Sequence, residues 1–193
     1  MLDQNALDTL FINARTQNGW LDQAVSEAQL HQLFDLMKWG PTSANCSPAR
    51  IVFVQSEAQK AKLVPLMMAG NQEKVRTAPV TAIIGMDMAF YEKLPQLFPH
   101  ADAKSWFVGN QPLIDATAFR NSSLQGGYFI MAARALGLEC GPMSGFDGDA
   151  VKQAFFPDSS VTVNFICSIG YGDHSKVFPR SPRFNFDEVC QIV

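Results

Sequence analysis

The feature that most constrains this sequence is a long helical stretch, Leu113 to Leu136, that is rich in alanine, glycine and serine. Small side chains let the backbone of another element approach closely, so the stretch predicts a central buried helix. Its Gly126–Gly127 pair costs about 1 kcal/mol per glycine relative to alanine, a cost usually tolerated for packing reasons. Gly137 is placed to form the C-cap. We therefore expect the rest of the chain to pack around this helix.

Three β-rich runs predict strands, at Arg50–Val54, Pro79–Gly85 and Val161–Ile169. Capping-box patterns begin at Ser26 and Ser56 and predict two further helices. Helices outnumber strands and separate them, which predicts an α+β or α/β layered domain. No repeat or linker interrupts the chain, so we place residues 1–193 in a single domain.

The charge pattern and the cysteine spacing exclude several classes of function. The net charge is -3 and no block of Lys and Arg is present, so no nucleic-acid partner is expected. The apolar runs are too short for a membrane span, and the first residues lack a signal-peptide pattern, so we expect a cytoplasmic protein. Neither the four cysteines nor the three histidines have metal-ligand spacing, so we expect no metal and reduced thiols.

Four loop segments are candidate sites: Ala14–Trp20, Gly40–Pro48, Gly141–Phe146 and Lys176–Arg183. Each alone also fits an ordinary cap, turn or solvated loop. Taken together they offer neutral donors and acceptors for a heteroaromatic ring, and cations on a proline-stiffened segment for a phosphate. No dinucleotide or P-loop motif is present. A flavin fits this combination, because the flavin itself carries the hydride chemistry.

At these segments the chain resembles the FMN-dependent nitroreductase family over nearly its whole length. Within that family it is similar to the malonic semialdehyde reductase subgroup of pyrimidine degradation. The matching blocks are LMKWGPTSANCSPARIVF (36–53), TAPVTAI (77–83), FYEKLPQLFPH (90–100), AFRNSSLQ (118–125), ALGLECGPMSGFD (135–147) and IGYGDHSK (169–176).

The resemblance implies an α+β, nitroreductase-like sandwich with a central mixed sheet flanked by helices. It also implies a domain-exchanged homodimer with two FMN sites at the interface. NADH or NADPH would reduce FMN in a ping-pong scheme, and the subgroup's acceptor is malonic semialdehyde, reduced to 3-hydroxypropanoate. The alternatives are a broad nitroaromatic or quinone reductase, a flavin-binding module without turnover, and a nucleophile enzyme built on Cys46.

The family's N-terminal flavin motif falls on residues 14–18, with Arg15, Thr16 and Asn18 as the implied flavin ligands. Ala14 and Asn18 stand where the family has basic residues, so the phosphate is expected to depend more on the C-terminal cations. The family loop that reaches the partner's flavin falls on residues 41–48. Its implied contacts are Pro41, Thr42, Ser43 and Asn45, and Ser47 replaces a glutamine.

The remaining implied ligands come from three segments further along the chain. Asn71 and Lys74 fall on the positions at the ring's polar edge, where Lys74 would place positive charge near flavin N1. The loop whose backbone N–H, at Gly145, meets flavin N5 comprises Pro142, Met143, Ser144 and Gly145. Ser144 replaces a frequent acidic residue, which favours an anionic substrate. The implied phosphate ligands are Arg180 and Arg183, with Lys176 as a further candidate, and Trp106 and Phe107 are candidates for gating substrate access.

Overall fold

The computed structural model describes all residues from Met1 to Val193. The strands are β1 (Ala49–Val54), β2 (Val80–Asp87), β3 (Glu139–Met143) and β4 (Val161–Gly170). The helices are α1 (Gln4–Leu7), α2 (Glu27–Met37), α3 (Glu57–Leu63), α4 (Ala69–Thr77), α5 (Leu94–Leu97), α6 (Gln111–Ala135), α7 (Gly148–Phe155) and α8 (Phe186–Val189). Helix α1 continues into a wider π-type turn, and short 3-10 turns connect several elements.

The four strands form one sheet in the order β1-β2-β4-β3, and every neighbouring pair runs antiparallel. The expectation of a mixed sheet is therefore corrected: parallel pairing is confined to an isolated bridge between Thr16 and Cys140. Strand composition alone does not encode direction, because the same β-rich residues suit both kinds of ladder.

Both faces of the sheet are buried, as the alternation of side chains along β2 shows. Ala82 and Ile84 face a core shared with α2 and α6, whereas Ile83 between them faces a core shared with α3, α4 and α7. A period of two along a strand sends neighbouring side chains to opposite faces. The α+β sandwich, with a sheet flanked by helices, is confirmed.

The predicted central helix is α6, which packs on both α2 and the sheet. Gly126 lies directly beneath the ring of Phe165 on β4, so its lack of a side chain makes this close approach possible. Gly137 follows with φ of 74°, the left-handed conformation expected of a C-cap glycine. Helix α6 also exposes Phe119, Leu124 and Tyr128, so it is not buried on all sides.

Strand β3 is the strand that the sequence failed to predict, since Gly141–Phe146 had the pattern of a loop. Gly141 and Pro142 lie within this strand. Proline is tolerated there because β3 is an edge strand, where a missing N–H removes no obligatory ladder bond. No helix of the structure combines the length and the apolar composition needed to cross a membrane.

Candidate functional site

A cavity of about 740 Å³ lies between the N-terminal segment, α4, the end of α6 and the C-terminal segment. It brings together six residues that sequence analysis assigned to one ligand, from three distant parts of the chain: Arg15, Thr16, Asn18, Lys74, Arg180 and Arg183. Arg134 also lines it, a residue that the sequence analysis missed. An arginine in the last turn of a helix is ordinary, so no local pattern would have distinguished it.

The cavity is strongly cationic, although the chain as a whole carries a net charge of -3. Four arginines and one lysine line it, and none of its lining residues is acidic. Arginine presents planar sets of donors that match phosphate oxygens, and positive charge without nearby carboxylates attracts a multiply charged anion. The donor set therefore fits a phosphate-bearing ligand.

Two arginines connect the N-terminal and C-terminal walls of the cavity reciprocally. Arg15 donates a hydrogen bond to the carbonyl of Phe178. Arg180 donates from Nη2 to the carbonyl oxygens of Ile12 at 2.6 Å and Ala14 at 3.3 Å. Because carbonyl groups are neutral, these bonds fix the two guanidinium groups in place without cancelling their charge.

Lys74 provides the cation on the α4 wall. Burial lowers the pKa of its ammonium from the ordinary value of 10.5, since desolvation penalises the charged form. Its carbonyl accepts a hydrogen bond from Trp20 Nε1 at 3.1 Å, which fixes the backbone at this turn of the helix. A desolvated ammonium gains most from a ligand that brings negative charge to it.

One turn earlier on the same helix, Asn71 contacts the loop that follows β3. Its Nδ2 donates to the carbonyl oxygen of Gly145 at 3.0 Å, and the N–H of Met68 donates to the same oxygen at 3.0 Å. A Cβ at Gly145 would lie 2.7 Å from Asn71 Nδ2, so a side chain there would displace the Asn71 amide from its bond. Pro142 and buried Met143 end the strand and position the loop. The structure thus brings Asn71 and Gly145 together, with Lys74 one turn away.

The loop at residues 41–48 contributes no residue to the lining of this cavity. Its backbone is strained: Ala44, Asn45 and Ser47 have φ of 49°, 52° and 39°, which non-glycine residues rarely adopt. Asn121 on α6 accepts from the N–H of Ser43 at 2.8 Å, and Asn45 Nδ2 donates to Leu97 O at 2.9 Å. Strain of this kind persists only where surrounding contacts maintain it, and it clusters at functional sites.

Three other residues predicted to belong to the site do not line the cavity. Phe107 is buried, with its ring edge-on to Phe90 at 4.9 Å between centroids, so it packs the core of the protomer. Trp106 is half exposed and remains accessible. Lys176 does not line the cavity, and its aliphatic stem packs on Gly19 instead.

A buried polar network behind the N-terminal wall was also missed by sequence analysis. Gln17 is fully buried and donates from Nε2 to Glu139 Oε1 at 2.6 Å. The other oxygen of Glu139 accepts from the N–H of Gly172 at 2.9 Å, and His174 Nε2 lies 3.1 Å from Oε1. This network holds Gln17 against the sheet. Its neighbours Thr16 and Asn18 line the cavity, so the network positions the N-terminal wall.

The hypothesis of a cysteine nucleophile at Cys46 is wrong. This residue is fully buried, and burial raises the pKa of its thiol from 9.0 to about 11. The thiolate is the reactive form of cysteine, so a thiol of this kind is inert at neutral pH. All four cysteines are free, and no cluster of His, Cys, Asp or Glu is arranged to hold a metal ion.

Comparisons with known proteins show which family the chain resembles. Residues 15–171 match the family model described as the nitroreductase family. A Polynucleobacter asymbioticus protein named for NADH dehydrogenase and NAD(P)H nitroreductase activity is 61% identical over 193 residues, covering 100% of this chain and 98% of that protein.

Two solved structures show the same fold at low sequence identity. A Bacillus subtilis protein described as a nitroreductase superposes with a TM-score of 0.86 at 22% identity, covering 99% of this chain and 100% of that one. A nitroreductase from Exiguobacterium sibiricum, solved in complex with FMN, superposes with a TM-score of 0.83 at 19% identity, covering 100% and 99%.

Proposed function

Because the chain belongs to the nitroreductase family, we propose that it is an FMN-dependent NAD(P)H oxidoreductase. The observation that carries this proposal is the cationic cavity, in which Arg15, Lys74, Arg180 and Arg183 converge without an acidic neighbour. FMN fits this donor set, because it joins a doubly charged phosphate to a ring with a polar edge. The FMN complex of the Exiguobacterium relative and the nicotinamide-linked name of the Polynucleobacter relative support the two redox partners.

The protein residues would hold the two ends of FMN differently. Arg15, Arg180 and Arg183 would bind the phosphate, and Thr16 and Asn18 would contribute neutral hydrogen bonds beside it. Asn71, Lys74 and the N–H of Gly145 would face the ring. Bound FMN would supply the hydride chemistry, accepting hydride from NAD(P)H and passing it to the acceptor. A cation at the ring's polar edge stabilises negative charge that develops there, which is the role of Lys74.

We propose that the working unit is a homodimer in which the partner's loop at residues 41–48 completes each site. This loop has a strained backbone but contributes no residue to the lining of the cavity in its own protomer. The chain also exposes many large apolar side chains on α6, after α2 and along the C-terminal segment: Trp39, Phe119, Leu124, Tyr128, Phe178, Phe184, Phe186, Ile192 and Val193. Apolar surface of this extent marks an interaction site. The part that would exchange onto the partner is the exposed end of the chain beyond Arg183, residues 184–193, since Arg180 is bonded to Ile12 and Ala14 of its own chain.

Sedimentation of the purified protein tests this assembly. Wild type is expected to sediment as a dimer. Phe119→Asp is expected to dissociate the dimer to monomers and, in the same variant, to weaken FMN binding. Glu73→Ala, on the exposed side of α4, is the control. A wild-type monomer that binds FMN fully would contradict the proposed dimeric site.

For the acceptor, we propose malonic semialdehyde, with reduction to 3-hydroxypropanoate. Ser144 is exposed beside Gly145 and brings no negative charge to the ring side of the site. Lys74 lines the cavity, and none of the other lining residues is acidic. A positive charge with no negative charge beside it favours an acceptor that carries a carboxylate. A broad nitroaromatic or quinone reductase is the second candidate, favoured by the nitroreductase name of the Polynucleobacter relative.

Steady-state kinetics with two acceptors separates these candidates. Ser144→Glu should raise the KM for malonic semialdehyde more than the KM for a neutral quinone, because only the first acceptor is repelled by the new carboxylate. Ser144→Gln, of equal size without the charge, is the matched control. Equal effects of Ser144→Glu on both acceptors would refute the charge argument. A wild-type enzyme that turns over quinones but not the aldehyde would establish the second candidate.

A further inference from the structure

Arg134 stands in the last turn of α6 and lines the cationic cavity. It also lines a smaller adjoining hollow of about 220 Å³, together with Ala14 and Arg15. The three residues therefore share two adjacent spaces. Ala14, which lines both spaces with Arg134, is the position at which the family pattern has a basic residue.

Most of the hydrogen-bonding capacity of Arg134 is free. Its Nη1 donates to the carbonyl oxygen of Leu10 at 2.9 Å and lies 4.0 Å from Met131 Sδ. Its hydrogen bonds to protein groups are both made by Nη1, and it forms no salt bridge, although Glu139 also lines the smaller hollow. A guanidinium has five N–H donors, so this one retains a donor set that points to an anionic ligand.

We infer that Arg134 is an additional ligand of the cofactor phosphate and compensates for the basic residue that is absent at Ala14. This inference rests on the proposed FMN site. The bond to Leu10 anchors the guanidinium to the N-terminal wall, so the charge is held in place before the ligand arrives. A pre-positioned arginine loses little conformational freedom when it binds an anion, which makes it effective in this role.

Comparing FMN with riboflavin isolates the phosphate, because riboflavin has the same ring and ribityl chain without it. Apo protein is titrated with each flavin, and the quenching of flavin fluorescence gives the two dissociation constants. Arg134→Met should weaken FMN binding by about ten- to a hundredfold, the effect of one charge-assisted hydrogen bond, and leave riboflavin binding almost unchanged. Arg134→Lys should recover part of the loss, since it restores the charge but not the planar donor set.

Lys62→Met is the matched control, because Lys62 is an exposed cation on α3 without an ion pair, and it should change neither affinity. Unchanged FMN binding in Arg134→Met would overturn the inference. So would an equal loss for FMN and riboflavin, because that would show a structural role through the bond to Leu10. Wild-type protein that binds neither flavin would instead refute the proposed function, and the two failures are thus distinguishable.

Discussion

Gly126 and Gly127 are adjacent in helix α6 but have different surroundings, and substituting each by alanine is predicted to change stability in opposite directions. A Cβ at Gly126 would lie 2.5 Å from Phe165 Cζ, whereas a Cβ at Gly127 would meet nothing within 4 Å. Ordinary carbon contacts are about 3.5–4.0 Å, so the first substitution forces the Phe165 ring or the helix to move.

The magnitude follows from two terms. Replacing glycine by alanine inside a helix stabilises it by about 1 kcal/mol at either position. Overpacking of a well-filled core costs about 1–3 kcal/mol, and this cost applies only at Gly126. The helix term cancels in the difference between the two variants. Gly127→Ala should therefore be more stable than Gly126→Ala by about 1–3 kcal/mol, or about 2–4 °C in Tm for each kcal/mol.

Thermal unfolding at one fixed protomer concentration measures this difference, since the stability of an oligomer depends on concentration. Phe165→Leu in the Gly126→Ala background tests the assigned cause, because a smaller side chain should remove much of the coupling between the two positions. Equal Tm values for the two alanine variants would refute the packing argument. A fall in both would mean that another chain covers Gly127.

Three further predictions concern single side chains. Arg180→Met removes a phosphate ligand and the bonds to Ile12 and Ala14, so FMN should bind about tenfold or more weakly by fluorescence titration, and unchanged affinity would contradict its role. Lys74→Met should weaken FMN binding but raise the Tm of apo protein, because burial of the Lys74 ammonium lowers its pKa and so costs stability. This gain in Tm should shrink as the pH approaches 10.5, where the unfolded chain also loses the proton. Burial raises the pKa of Cys46 from 9.0 to about 11, so between these pH values the folded state keeps a proton that the unfolded chain loses. The unfolding free energy of wild type should therefore fall from pH 9 to pH 11. Cys46→Ala should flatten this dependence on pH, and an unchanged dependence would refute the raised pKa of Cys46.

The sequence predicted the parts of the fold that depend on periodicity and capping. Helix α6 extends over Gln111–Ala135 against a predicted 113–136, and β1, β2 and β4 each lie within two residues of expectation. Strand β3 was missed because Gly and Pro are poor strand formers, and only its position at the sheet edge makes them acceptable. That position is a property of the whole topology and is absent from any local window.

The candidate site was predictable where motif positions could be carried over, and not where tertiary packing alone brings residues together. Arg15, Lys74 and Arg180 line one cavity as the motifs implied. Arg134 and the pair Gln17–Glu139 were missed because each is separated from its partners by more than a hundred residues. Phe107 was assigned to substrate access from its place in the chain, but its ring is buried in the core.

The central claim, that this chain is a flavin enzyme that accepts electrons from NAD(P)H, is tested most directly by the visible spectrum of the purified protein. Under anaerobic conditions, we expect a yellow protein whose flavin absorbance bleaches on addition of NADH or NADPH and returns when an electron acceptor is added. A colourless protein that takes up no added FMN would contradict the claim. A yellow protein that neither cofactor bleaches would indicate a flavin-binding module without turnover.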